Sequence, residues 1–201
     1  MFFGRRDKVT FTDDRSVWRS ALRGLGELLQ VALLVTAIVL PIRYFLIQPF
    51  YVKGASMEPN FYDHEYLIID ELTYRFRDPR RGEIAVFRYP TDPSQFFIKR
   101  IIGLPGDTVT IRNGEVFVKA GHGEAARLDE GTYLSDGVVT SGEESVKLND
   151  GEYFVLGDNR GASLDSRFFG SVKRPLIVGR VMLRGWPLDK VTVFETPEYS
   201  F

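Results

Sequence analysis

A run of fifteen residues without a charge, Leu28–Ile42, is the feature that most limits how this chain can fold. As a helix the run would be about 22 Å long, and extending it to Phe50 gives about 35 Å, enough to cross a hydrocarbon core of about 30 Å. The extension adds one charge, Arg43, whose long side chain can reach the headgroups. Pro41 would kink such a helix without ending it.

Three interpretations compete for this run. A cleaved signal peptide needs small residues at positions −1 and −3, and a site after Ala55 would place Lys53 at −3. A buried helix of a soluble protein is seldom uncharged over this length between charged flanks. An uncleaved anchor agrees best, because residues 1–27 hold six basic and four acidic residues and positive flanks stay in the cytoplasm. This interpretation predicts a cytoplasmic tail at 1–26, a single transmembrane anchor at 27–48 and an extracytoplasmic domain at 49–201.

From Tyr51 onward the sequence is typical of short strands separated by turn residues. Asn113-Gly114 favours a tight type I′ hairpin, and the apolar residues on either side alternate as in half-buried strands. Residues 121–144 are rich in Gly, Ser, Thr and acidic residues and predict a loop or excursion. The predicted strands are Tyr66–Ile69, Ile84–Phe87, Phe97–Ile102, Thr108–Arg112, Glu115–Lys119, Tyr153–Leu156, Leu176–Leu183 and Val191–Phe194. The predicted fold class is mainly β, an N-terminal transmembrane helix followed by a largely antiparallel β-sheet domain without long amphipathic helices.

Composition excludes several kinds of chemistry. Without cysteine the chain has no disulfides, thiolates or cysteine-bound metals, and its two histidines, His64 and His122, are too few for a metal site built on imidazole. We expect no metal and no cofactor, and we assign both histidines to exposed loops. Lys and Arg sum to 26 against 27 for Asp and Glu, so we expect no nucleic-acid partner. Catalysis would have to use hydroxyls, carboxylates, Lys, Arg and Tyr.

The segment Gly54–Pro59 places a serine, Ser56, between small residues and a Met-x-Pro sequence. Pro59 restricts the backbone, so the Ser56 hydroxyl would be held in an exposed turn. On local sequence alone, a turn that happens to contain a serine is the simpler explanation of this segment.

The segment Phe96–Asp107 combines an apolar strand with a lysine. Alternation along the strand places Lys99 on the same face as Phe97 and Ile101. Burial of that face would lower the pKa of Lys99, and moving it from about 10.4 towards about 8 takes roughly 3 kcal/mol. The neutral amine could then take the proton of a serine hydroxyl. The alternative is an edge-strand lysine whose ammonium group reaches solvent.

The segment Gly157–Gly170 is dense in turn formers and in opposite charges. The carboxylates of Asp158 and Asp165, with nearby amide and hydroxyl oxygens, could belong to a calcium loop. Their spacing does not match the EF-hand pattern, and Arg160 and Arg167 would compete with a cation. The sequence therefore favours a structural loop closed by ion pairs.

Taken together, these three segments resemble the type I signal peptidase (leader peptidase) family, and the resemblance extends from the anchor to Trp186-Pro187. The matching boxes are Ser56-Met57-x-Pro59, Ile98-Lys99-Arg100 leading into Gly103–Asp107, and Gly157-Asp158-Asn159-Arg160 followed by Ser163-x-Asp165-Ser166-Arg167. Arg81–Phe87 is also similar to the family's strand between the first two boxes. Each box alone is weak, but three in this order behind an anchor are specific.

The resemblance implies a role for each matching residue. Ser56 would be the nucleophile, with its backbone N–H in the oxyanion hole, and Lys99 would be the general base. Ser163 would hydrogen-bond to the lysine and orient it. The charged pairs that would hold the loops of the site are Asp158 with Arg100 and Asp165 with Arg167. The residues that would line small S1 and S3 pockets are Phe50, Val52, Phe61, Phe97 and Ile98.

The resemblance also implies an activity, that of a membrane-anchored serine endopeptidase. Such an enzyme removes N-terminal signal peptides from exported preproteins, and small pockets select small residues at −1 and −3. Its partners would be preprotein signal peptides and the bilayer of the plasma membrane, and the chain would act as a monomer. The apolar residues that would rest on the bilayer are Phe50, Tyr51, Leu183 and Trp186.

Two features depart from the family pattern. Some members hold Ser or Thr where this chain has Gly54, and that hydroxyl can serve as an oxyanion donor. We expect Gly54 to adopt an ordinary backbone φ and to tolerate Ser, because relatives carry a β-carbon at this place. The short region 121–144 predicts that the larger second β domain of some relatives is absent.

Two other functions share parts of this pattern. A self-cleaving repressor-type Ser–Lys peptidase would have a DNA-binding helix-turn-helix, an internal Ala-Gly cleavage site and no anchor. A membrane-anchored, non-enzymatic β module that binds exported proteins would have the anchor and the strands but no need of Ser56 and Lys99. Cleavage of a preprotein separates such a module from an enzyme.

Overall fold

The computed structural model describes residues 14–45, 47–197 and 199 of the chain. The chain divides into two units, residues 1–44 and residues 45–201, each considered by itself below. Among the described residues, one helix is long and apolar enough, by length and composition, to span a membrane. This helix is α1, Asp14–Phe45, and its candidate span Leu22–Leu40 has a mean hydropathy of 1.7 and exposed side chains.

The boundaries of α1 differ from those of the predicted anchor. The helix begins at Asp14, so the second half of the predicted tail is helical, whereas residues 1–13 lie outside the described residues. At the other end the helix stops at Phe45, and Ile47 and Gln48 already belong to the first strand. The division into tail, anchor and extracytoplasmic domain stays a prediction.

The described part of the second unit contains a larger antiparallel sheet of eight strands. Its strands are β1 (Ile47–Tyr51), β2 (Tyr66–Asp70), β3 (Ile84–Arg88), β4 (Phe96–Gly103), β9 (Glu152–Leu156), β10 (Val172–Lys173), β11 (Ile177–Trp186) and β12 (Thr192–Val193). Their order in the sheet is β1-β2-β11-β3-β4-β9-β10, and β12 pairs with β11. All the pairs are antiparallel, which confirms the predicted fold class.

A smaller sheet of four antiparallel strands follows β4 in the chain. Its strands are β5 (Thr108–Arg112), β6 (Glu115–Lys119), β7 (Ala125–Arg127) and β8 (Glu144–Lys147), in the order β7-β6-β5-β8. Asn113 and Gly114 join β5 to β6 with φ of 51° and 82°, the signs that a type I′ turn requires, so the predicted hairpin is confirmed.

The excursion predicted at 121–144 is therefore more ordered than its composition suggested. Ala125–Arg127 forms strand β7, and Glu144 begins strand β8. Both strands are only three or four residues long, too short to show a clear apolar alternation, and they are paired with β6 and β5 respectively.

Apolar side chains cover both faces of the larger sheet. In β3, Ile84 and Val86 pack into one buried cluster with Met57, Phe61 and other residues, while Ala85 and Phe87 pack into a second cluster on the opposite face. This alternation is the expected outcome for a strand buried on both faces. A third cluster lies against the smaller sheet and includes Val109, Ile111, Val116 and Val118.

Two four-residue helices complete the second unit, α2 (Thr73–Phe76) and α3 (Ser166–Phe169). Neither is long or amphipathic, as predicted for the part of the chain after residue 50 that the structure describes. Asp165 is the N-cap residue of α3, and its carboxylate accepts a hydrogen bond from the Arg167 backbone N–H.

Candidate active site

Ser56 lies in a turn between β1 and β2 that is pinned to the core on one side. The side chains of Met57 and Phe61 are almost completely buried, and the Phe61 N–H donates to the Met57 carbonyl at 2.9 Å. A second backbone hydrogen bond joins the Glu58 N–H to the Ala55 carbonyl at 3.2 Å. Because the residues around it are anchored in this way, the half-buried Ser56 side chain has a fixed position.

Lys99 reaches Ser56 from β4. Its Nζ lies 2.7 Å from Ser56 Oγ and 2.8 Å from the Ile98 carbonyl oxygen, and the residue is only 3% exposed. Burial lowers the pKa of Lys99 from 10.5 to about 8, although Asp165 and Asp158 act in the opposite direction. An amine N–H that donates to the Ile98 carbonyl leaves the lone pair free to accept the Ser56 proton. The pair thus has the geometry of a nucleophile and its general base.

Ser163 lies beside this pair in a crowded interior. Its side chain is 7% exposed, and within the part of the chain that the structure describes its Oγ makes no hydrogen bond. A β-carbon built on Gly157 would lie 2.1 Å from Ser163 Oγ and 2.5 Å from the Ser56 carbonyl oxygen. Gly157 is therefore the point at which the two serine-bearing segments approach each other, and the predicted Ser163–Lys99 hydrogen bond is not formed in this structure.

Two bidentate ion pairs hold the loop between β9 and α3. Arg100 donates to both carboxylate oxygens of Asp158 at 2.8 and 2.7 Å, and Arg167 does the same to Asp165 at 2.8 Å twice. The Gly157 N–H adds a hydrogen bond to Asp165 at 3.1 Å. Since each carboxylate is already matched by a guanidinium, the loop fits the ion-pair interpretation rather than the calcium one.

Asn159 connects this loop to the Ser56 turn, a role that the sequence analysis missed. Its backbone N–H donates to the Ser56 carbonyl at 3.1 Å, and its side-chain amide donates to the Ala55 carbonyl at 3.0 Å. The sequence showed Asn159 only as a turn former beside Asp158. Asn159 contacts residues about a hundred positions earlier in the chain, so no local sequence pattern could indicate this role.

An apolar pocket of about 640 Å³ opens next to Ser56 and Lys99. Four of the five residues predicted to bind substrate line it: Phe50, Val52, Phe97 and Ile98. Residues that sequence reasoning did not assign to substrate, among them Leu67, Val86, Ala162 and Leu164, line it as well.

Phe61, the fifth predicted substrate-binding residue, does not line this pocket. It is completely buried in the core, with its ring 4.4 Å from that of Phe194 and under the guanidinium of Arg184. Its hydrogen bond to Met57 turns it inward, so it supports the Ser56 turn from below rather than contacting a ligand.

The backbone of Gly54 corrects another expectation. Its φ is +87°, in the left-handed region that favours glycine, and not the ordinary φ that we expected. Its N–H donates to Asp63 Oδ1 at 3.0 Å, which closes the turn before Ser56. A β-carbon at Gly54 would meet nothing within 4 Å, so the obstacle to a side chain is backbone conformation and not space.

This conformation predicts that Gly54→Ser and Gly54→Ala both lower kcat/KM. A strained φ costs about 1–3 kcal/mol, and if the turn shifts to relieve it, the loss in rate is about 5- to 150-fold. Gly54→Asn is the matched control, because Asn tolerates positive φ better than Ser or Ala. Unchanged kinetics in the Ala variant, measured beside its melting temperature, would show that the turn does not need a glycine.

Neither histidine lies near the Ser56–Lys99 pair in a way that suggests catalysis. His64 is exposed, and its Nδ1 lies 3.0 Å from Asp63 Oδ2. His122 is exposed in the turn between β6 and β7. No group of three or more potential metal-ligating side chains occurs among the residues described.

Comparisons with known proteins identify the family to which this chain belongs. The sequence model of a family described as "Signal peptidase, peptidase S26" matches residues 25–186. The chain is 42% identical to the probable signal peptidase I-2 of Synechocystis, over 79% of this chain and 72% of that protein. It is 38% identical to the signal peptidase I of Leptolyngbya laminosa, over 79% and 78% of the two chains. It is 30% identical to the signal peptidase IB of Staphylococcus aureus, over 77% and 85%. The chain therefore belongs to the signal peptidase I family of hydrolases, peptidase S26.

Proposed function

We propose that this protein removes signal peptides from exported preproteins by cleaving after small residues at −1 and −3, with Ser56 as nucleophile and Lys99 as general base. The single observation that carries the proposal is the 2.7 Å approach of Lys99 Nζ to Ser56 Oγ at a buried position. A lysine without a catalytic task would more readily extend its ammonium group into water, because burying an unpaired charge is costly.

The chemistry follows from this pair. Neutral Lys99 takes the Ser56 proton while Oγ attacks the carbonyl carbon of the −1 residue. The backbone N–H of Ser56 stabilises the resulting oxyanion, and protonated Lys99 then gives its proton to the leaving amine of the mature chain. Lys99 next activates a water molecule that hydrolyses the acyl-enzyme. Gly54 supplies no hydroxyl to the oxyanion hole, and the Gly54 N–H already donates a hydrogen bond to Asp63 Oδ1.

The free edge of β4 supports the way in which the substrate would bind. Strand β9 pairs with β4 only from Arg100 onward, so Phe96–Lys99 have no partner strand on that side among the residues described. An extended peptide can add to this edge and place alternate side chains in the apolar pocket. Val52, Phe97 and Ile98 line that pocket, and in this proposal their bulk restricts positions −1 and −3 to small residues.

Membrane attachment is part of the same proposal. Helix α1 would anchor the chain in the plasma membrane, with the basic N-terminal residues in the cytoplasm and residues 49–201 outside it. In the second unit, Tyr51, Tyr66 and Trp186 lie together at one end of β1, β2 and β11 and are 39%, 46% and 52% exposed. Tyrosine and tryptophan are favoured at the boundary between water and lipid, which supports contact with the bilayer there. The protein would act as a monomer.

A cleavage assay tests the function directly. The full chain in detergent is incubated with a preprotein that carries Ala at −1 and −3, and the product is identified by mass spectrometry. We expect one shortened product whose new N-terminus follows the −1 residue. Binding of the preprotein without a shortened product would favour the non-enzymatic module.

The pH dependence of cleavage should follow Lys99. Because burial lowers its pKa to about 8 and only the neutral amine is a base, kcat/KM should rise about tenfold per pH unit below this value and level off above it. The measurement is kcat/KM between pH 6 and 10, with the melting temperature recorded at each pH as the control for folding. A rise centred near 10.5 would mean that Lys99 is solvated and is not the base.

A further inference from the structure

A second cleft, of about 430 Å³, is lined by residues of the Ser56 turn that follow Ser56, whereas those that line the apolar pocket extend only as far as Ser56. Its near wall is formed by Glu58 and Pro59, two and three residues after Ser56, and by Asn159, which holds the Ser56 carbonyl. Its far wall is formed by Leu134 and Val138 from the segment between β7 and β8. We call it the leaving-side cleft.

The far wall is fixed to the loops of the active site. The Asn60 side-chain amide donates to the Tyr133 carbonyl at 2.8 Å, and Arg160 donates to Glu130 and to the Thr140 hydroxyl. Arg160 is buried in the same loop as Asn159. The cleft is thus built into the fold, with both walls tied to the segments that position Ser56.

One charge in this cleft has no counter-charge. Asp158 and Arg160 also line it, but each is neutralised by an ion-pair partner, Arg100 and Glu130 respectively. The half-buried Glu58 side chain makes no salt bridge with any residue that the structure describes. The leaving-side cleft therefore has an apolar wall facing an unpaired carboxylate.

An endopeptidase needs room for its substrate on both sides of the bond that it cleaves. If the signal peptide occupies the apolar pocket, which Ser56 and Lys99 help to line, the neighbouring cleft beside Glu58 and Asn159 is available to the chain after the cleaved bond. We propose that the leaving-side cleft binds the first residues of the mature chain, and that Glu58 favours basic side chains and disfavours acidic ones there. This inference rests on the proposed function, because it assigns the second half of the same substrate.

The test uses peptides that share Ala-Gln-Ala before the cleaved bond and carry Lys, Gln or Glu at each of the first three positions after it. With the full chain in detergent at low salt, kcat/KM should fall in the order Lys, Gln, Glu, with about a three- to tenfold range at the position facing Glu58. Salt at about 1 M should narrow this range, because it screens exposed charges.

Variants on both walls test the assignment. Glu58→Lys should reverse the order of kcat/KM among the Lys, Gln and Glu peptides. Val138→Lys adds a positive charge to the far wall and should shift the preference in the same direction, towards Glu. Glu124→Lys, an exposed site outside the cleft, is the matched control and should leave the order unchanged. If Glu58→Lys loses all cleavage, the charge preference of Val138→Lys is the deciding measurement. A shift of this preference towards Glu supports the inference, and an unchanged preference overturns it.

Different results would overturn this inference and the proposed function. Cleavage that ignores the charge after the bond in the wild-type protein would overturn this inference and leave the proposed function standing. An order of kcat/KM that is the same in the wild-type protein, in Glu58→Lys and in Val138→Lys would also overturn this inference and leave the proposed function standing. No cleavage of the peptide with three glutamines, with Ser56→Ala as the blank, would overturn both.

Discussion

Replacing Ser56 by Ala, or Lys99 by Ala, should lower the rate of preprotein cleavage by about 10⁴-fold or more while the protein stays folded. The first change removes the oxygen that lies 2.7 Å from Lys99 Nζ, and the second removes the base that makes this oxygen nucleophilic. Neither change disturbs the buried apolar residues that pin the Ser56 turn. The measurement is the single-turnover rate of preprotein cleavage at pH 9, together with the melting temperature of each variant.

The losses of cleavage rate in Ser56→Ala and Lys99→Ala should not add, because the two side chains act as one catalytic unit. The double variant should be no slower than the slower single variant. A variant with His64→Asn and His122→Gln is the control, with Asn at position 64 because His64 has a φ of +70°. This control should keep full activity, since both side chains are exposed. Cleavage by Lys99→Ala within tenfold of wild type would remove Lys99 from the mechanism.

The sequence was sufficient to predict the parts of the fold that depend on local pattern. Short strand-like runs between turn residues predicted most strands of the larger sheet, and Asn113-Gly114 predicted the hairpin of the smaller one. Ser56 and Lys99 could be paired only through the resemblance, because they are 43 positions apart in the sequence and no local pattern connects them. Local sequence alone favoured a turn serine and a solvated lysine.

Other parts of the site depend on long-range packing and could not be predicted. Strands β7 and β8 are too short to show a clear pattern, and they form by pairing with β6 and β5. Phe61 looked like a pocket residue, but its hydrogen bond to Met57 turns it into the core. The positive φ of Gly54 follows from a bond to Asp63, nine residues later. In each case the local structure depends on a contact with residues outside the short segment from which it was predicted.

Gly157 shows how strongly such a contact can constrain the site. It lies between the carbonyl of Ser56 and the side chain of Ser163, and a β-carbon there would lie 2.1 Å from Ser163 Oγ, 2.5 Å from Ser163 Cβ and 2.5 Å from the Ser56 carbonyl oxygen. Atoms cannot remain at these separations, so Ser56 or Ser163 would have to move. The cause is steric, because Gly157 does not have the positive φ of Gly54.

Gly157→Ala should therefore lower kcat by about 100-fold or more, since a misplacement of about 1 Å at a reacting group costs about this much. Gly161→Ala is the matched control in the same loop: a β-carbon there meets nothing within 4 Å, and its φ is not positive. The measurements are kcat and the melting temperature of both variants. A Gly157→Ala variant that melts near the wild-type temperature but cleaves slowly would place the effect at the Ser56–Lys99 pair. If both variants cleaved at the wild-type rate, the close approach of the two serine-bearing segments would not matter for catalysis.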